Sequence, residues 1–83
     1  MDKGEIDRLF ASPLTTNATR NRAAAEIRRI VTSVSRRSRL DLVARALELT
    51  MREYSRYVRT HYRYVDPFLS PFSDLFKTIL KST

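Results

Sequence analysis

Between Leu40 and Val65 one edge of the chain collects Leu40, Val43, Leu47, Met51, Tyr54, Val58, His61 and Val65, spaced three and four residues apart. That period belongs to an α-helix with one buried edge and excludes a strand. At ~100° per residue, Arg45, Arg52, Arg56, Arg59 and Arg63 fall within ~40° of a common line on the opposite edge. The chain should therefore contain a long helix that backs a greasy seam with a guanidinium ridge.

No segment shows sustained two-residue alternation, so the expected fold class is all-α. A chain of 83 residues is too short for two independent cores, and residues 1–83 should form one helical domain. Met1 to Ala11 reads as a short helix, with Asp2 and Glu5 at capping-box spacing and Ile6, Leu9 and Phe10 on one face. Ser12-Pro13 ends it, and Pro13 to Ala18 is a polar connector. A second helix should start near Thr19 or Asn21 and run to about Ser35, with Ala23, Ile27, Ile30, Val31 and Val34 as its stripe. Were it continuous with the next, the two stripes would diverge by ~160–200°. A turn is therefore expected at Ser35-Arg36-Arg37-Ser38, with Ser38 and Asp41 at capping-box spacing. The long helix then runs from Arg39 to Val65, where Asp66-Pro67 stops it. Ser70-Pro71 opens a last helix bearing Phe72, Leu75, Phe76, Ile79 and Leu80 at helical spacing. The expected architecture is a small bundle built on a long antiparallel hairpin (about 20–35 and 39–65). Short terminal helices would cover the aromatic overhang of Tyr54, Tyr57, Tyr62 and Tyr64.

The formal charge of +7, from 16 basic and 9 acidic residues, favours an anionic partner. Thirteen of the basic residues are arginine, whose planar fork suits phosphate and carboxylate. Some can pair within a helix: Asp41 with Arg45, Glu48 with Arg52, and Glu26 with Arg22 or Arg29. Others gather at two poles. Arg36, Arg37 and Arg39 lie at the turn. Arg56, Arg59 and Arg63 lie at the far end with only Glu53 near, three residues before Arg56, and the hairpin would add Arg20 and Arg22 there. Candidate nucleic-acid-binding residues are Arg36, Arg37, Arg45, Arg52, Arg56, Arg59 and Arg63. Phe68, Phe72, Leu75, Phe76 and Ile79 are candidates for docking on a partner, with folding onto the overhang as the other use of that face. The tyrosines interleaved with arginine between Tyr54 and Tyr64 suit either packing or base stacking. His61 is expected to pack on the core side.

Other chemistries are thinly staffed. There is no cysteine, one histidine and no glycine-rich loop, so neither metal nor cofactor is expected and catalysis is not anticipated. No run reaches the ~18 apolar residues of a membrane span, and the first residues do not resemble a signal peptide. The cytoplasm is the expected compartment. The lack of tryptophan, glutamine and cysteine is compatible with a heat-adapted source.

Arg37 to Tyr54, RSRLDLVARALELTMREY, resembles the second helix of ribbon-helix-helix repressors, in which a Ser/Arg-rich turn precedes an apolar helix. The likeness covers under a quarter of the chain. Residues 13–18 lack the alternation of that family's strand, and its usual interhelical glycine is missing. The primary expectation is a non-catalytic basic accessory subunit. It would bind nucleic-acid backbone without sequence specificity, DNA ahead of RNA, while docking on a larger complex such as a replicative polymerase or ribosome. Two alternatives stand beside it. One is a dimeric regulator of ribbon-helix-helix or helix-turn-helix type, for which only Asn17 and Asn21 offer base-edge readers. The other is a protein–protein subunit that recognises an acidic partner.

Overall fold

The computed structural model describes residues 2–60 and 68–82. The expected roles of His61, Tyr62, Arg63, Tyr64 and Val65, and the stop at Asp66-Pro67, lie outside the described residues. Four helices are described: α1 (Asp2–Leu9), α2 (Asn17–Thr32), α3 (Arg36–Thr60) and α4 (Ser70–Ser82). None of the described residues forms a strand, so the all-α class holds. Residues 13–15, where a ribbon-helix-helix protein needs its ribbon, are irregular coil leading into α2. The single chain therefore shows no ribbon at this position.

Helix ends differ from the expected ones for local reasons. α2 starts at Asn17 because Thr16 and Thr19 form a reciprocal cap: the Thr16 Oγ1 accepts the Thr19 N–H at 3.1 Å, and the Thr19 Oγ1 accepts the Thr16 N–H at 3.2 Å. It ends at Thr32, where the Ser33 N–H closes the last turn on the Arg29 and Ile30 carbonyls. α3 then begins at Arg36, because Ser35 rather than Ser38 heads its first turn. The Ser35 carbonyl accepts the N–H groups of Ser38 and Arg39 at 3.1 Å each. The Arg39 Nε donates to the Val31 carbonyl at 3.2 Å, satisfying an end group of α2 and tying the two helices at their junction.

The start of α2 lies beside the far end of α3, with the Arg20 guanidinium 5.3 Å from the Tyr57 ring centre. α1 packs against both helices and α4 packs on α2. The aromatic ends meet as well. Phe68 stacks at 5.5 Å on Tyr54 and 5.0 Å on Tyr57, and Phe10 lies 6.4 Å from Phe72. Ile6, Ile27, Val31, Ala46 and Phe72 sit in the middle of one continuous apolar cluster.

The buried edge of α3 is not the expected seam. Leu42, Val43, Ala46, Leu49, Thr50 and Glu53 face inward, whereas Leu40, Leu47, Met51 and Val58 are exposed. The helix is thus rolled by ~100° about its axis relative to expectation. Ala46 is fully buried, and its small side chain leaves room for close helix approach. The Thr50 hydroxyl is satisfied by the Ala46 carbonyl at 2.7 Å, and the Glu53 carboxylate by donors described below. Polar residues that bring their own partners can be buried at little cost. The core is therefore beside the arginine ridge, not directly behind it.

Candidate nucleic-acid interface

Arg52, Arg56 and Arg59 share the last turns of α3 and line one open groove of ≈ 230 Å³ together with Phe10, Leu49 and Glu53. Phe10, Leu49 and the Glu53 carboxylate lie at its base and the rim is cationic. Arg59 is exposed and has no ion pair with any described residue. Arg52 makes a long contact of 3.4 Å with Glu48, and its side chain is two-thirds exposed. Such a pair holds little energy in water and yields readily to a competing anion. Arg56 is more firmly held, its Nη2 donating to the Glu53 Oε2 at 2.8 Å. Glu53, the one acid near Arg56 in the sequence, makes this pair, which takes Arg56 out of the free cations of the far pole: Glu53 is 8% exposed and offers a charged acceptor directly beneath it.

Arg45, placed in the same ridge by the sequence, is occupied. It donates to Asp7 of α1 at 2.8 Å and to Glu48 at 2.7 Å, and the expected Asp41 partner is not used. The Arg45 hydrogen bond holds the Asp7 carboxyl below the ordinary carboxylate range, with further help from the charges of Arg45, Arg52 and Lys3. The same two carboxylates raise the Arg45 guanidinium above its usual value. Arg36 and Arg37 are exposed at the start of α3, without an ion pair to a described residue. They stand ~35 Å along the helix from Arg59. Arg63 lies outside the described residues. The ridge thus resolves into a cationic groove (Arg52, Arg56, Arg59), a neutralised middle (Arg45) and a separate pair at the opposite end (Arg36, Arg37).

Arg20 does not join the far pole. It is 1% exposed, and donates from Nη1 to the Leu14 carbonyl at 2.9 Å and from Nη2 to the Asn17 Oδ1 at 2.8 Å. Its guanidinium carbon lies 4.7 Å from the Phe68 ring centre. A planar cation beside two aromatic rings can bind a backbone carbonyl without leaving the core, a geometry that the single ammonium of lysine does not reproduce. Asn17, one of two possible base readers, is consumed in this contact.

The docking assignment to Phe68, Phe72, Leu75, Phe76 and Ile79 is also corrected. All five are buried, Phe68 and Phe72 at 1% exposure, because α4 spends its apolar face on the bundle core. The apolar side chains that do face outward are Leu40, Leu47, Met51 and Val58 of α3 and Leu80 of α4. Leu47, Met51 and Leu80 line a mainly apolar groove of ≈ 260 Å³ between α3 and α4. This surface and the counter-ion Asp7 were missed from sequence. The available signal was that α3 carries more large apolar residues than one buried edge can hold. Among the described residues no cluster of acidic or histidine side chains could hold a metal ion, and no helix is long and apolar enough to cross a membrane.

The chain matches no protein-family model, no curated protein and no solved structure.

Proposed function

We propose that this chain is a non-catalytic accessory protein that binds the phosphate backbone of nucleic acid without reading sequence, in the service of a larger nucleic-acid-processing assembly. The observation that carries this is the groove lined by Arg52, Arg56 and Arg59 in a chain of net charge +7. Guanidinium forks spaced along two helical turns can follow successive phosphates, and each contact releases condensed counterions. Phosphate contacts fix position and affinity but carry no base information. The engagement of the Asn17 Oδ1 by Arg20 leaves Asn21 as the one amide side chain not drawn into such a contact, so adenine readout is poorly supplied. Contact with protein would fall to the outward apolar line on α3.

Titrating labelled duplex and single-stranded DNA and RNA of several sequences at a series of salt concentrations tests the proposal. Affinity should fall steeply and linearly in log–log form with salt, with little dependence on sequence. No binding at low salt would overturn it. A single preferred site would replace it with a regulator.

A further inference from the structure

α3 carries a line of apolar side chains that its own chain leaves uncovered: Leu40 at 59% exposure, Leu47, Met51 at 47% and Val58. The line runs ~27 Å along the helix. It is also symmetric about its middle. Leu40 and Val58 stand nine residues to either side of Leu49, and Leu47 and Met51 stand two to either side. Two α3 helices laid antiparallel, with a twofold axis at the level of Leu49, therefore set Leu40 against Val58 of the second copy and Leu47 against its Met51. An isologous interface requires this self-complementarity. The charges flanking the line obey the same register. Asp41 comes level, within two residues, with Arg59 of the second copy, and Glu48 with its Arg52. Asp41 has no ion pair with a described residue of its own chain.

We infer that the occupant of this line is a second copy of the chain, forming an antiparallel dimer through α3. This deepens the protein-contact half of the proposed function, and its test by mass and cross-linking does not call on the nucleic-acid half. One consequence does rest on phosphate binding. The Arg36–Arg37 end of one α3 comes beside the Arg59 end of the other. Cationic ends ~35 Å apart in one chain become neighbours across the dimer, and each dimer gains two composite anion sites. Repulsion between those ends is relieved when short polyphosphate is added.

Light scattering on the purified chain, free of nucleic acid, should report twice the mass of one chain at micromolar concentrations. Met51→Glu should weaken the dimer about 100-fold, since it sets an unpaired charge in a closed apolar seam. Helicity should be unchanged, because Met51 is exposed within the single chain. The chain has no cysteine, so Leu47→Cys and Met51→Cys report on register cleanly. Oxidising a mixture of the two should give the 47–51 disulfide faster than either variant links to itself. A single-chain mass at the highest soluble concentration would overturn the inference. Faster self-linking of Met51→Cys, the mark of parallel pairing, would also overturn it. A dimer that ignores nucleic acid would sustain this inference and sink the proposed function.

Discussion

The Glu53 carboxylate of α3 accepts the backbone N–H of Leu14 at 2.9 Å, across 39 residues of sequence. The same residue's carbonyl takes the Arg20 guanidinium at 2.9 Å. One buried residue of the connector is thus held through both its amide hydrogen and its oxygen, by charged groups from two different helices. Glu53→Ala leaves that amide without an acceptor in the interior and should cost roughly 1–3 kcal/mol of stability. Urea unfolding checks it. Glu53→Gln, which keeps an acceptor, should lose clearly less.

Arg20→Lys should be costly despite preserving the charge. A single ammonium lacks the fork that reaches the Leu14 carbonyl and the Asn17 Oδ1 together beside Phe68. The expected loss is roughly 2–3 kcal/mol, read from the same unfolding curves. An unchanged midpoint would show that Arg20 is merely space-filling.

How much of this was legible beforehand depends on where each residue finds its partner. α4 could be read from Ser70-Pro71 and its apolar spacing, because capping and periodicity are local properties. The pairings Arg29–Glu26 and Arg52–Glu48 were equally legible as neighbours on one helix. The face that α3 buries was not. It depends on Ala46 being small and on Glu53 finding Leu14, and neither fact is visible in a window of α3 alone. For the same reason Arg20 looked like a surface cation, and Arg45 was given Asp41 when α1 supplies Asp7. Of the expected phosphate-binding set, Arg52, Arg56 and Arg59 are brought together, while Arg36 and Arg37 stand apart.

Asp7 ties α1 to Arg45 and titrates below its ordinary value of 3.8. The folded chain therefore holds fewer protons at this site than the unfolded chain near that pH, and stability rises with pH there. The contribution is fully present above pH 3.8 and is lost as acid carries the pH through the lowered value. Asp7→Asn should flatten the acid side of a plot of melting temperature against pH and leave the neutral side as the new baseline. An identical acid limb in both proteins would discount the pair.

In the groove, removing Arg59 should matter more for nucleic acid than removing Arg45. Arg59→Gln should lower the salt slope of duplex binding by about 0.9, the signature of one lost phosphate contact. Arg45→Gln should leave the slope nearly unchanged, since two carboxylates already neutralise that side chain. Equal effects would mean that overall charge, not the groove, drives binding.

Gly4 is the chain's single glycine and sits inside α1, with nothing within 4 Å of where a Cβ would stand. Gly4→Ala should add about 0.5–1 kcal/mol by restricting the unfolded chain and favouring helix. A higher unfolding midpoint at unchanged slope is the expected outcome.

The double hold on Leu14 also decides how this molecule comes apart. The connector cannot lift from the domain while residue 14 stays clamped at its amide and its oxygen, so its release is coupled to loosening at the far ends of both long helices. In deuterated solvent the Leu14 amide should consequently be among the slowest to exchange, although it lies in a connector with no regular structure.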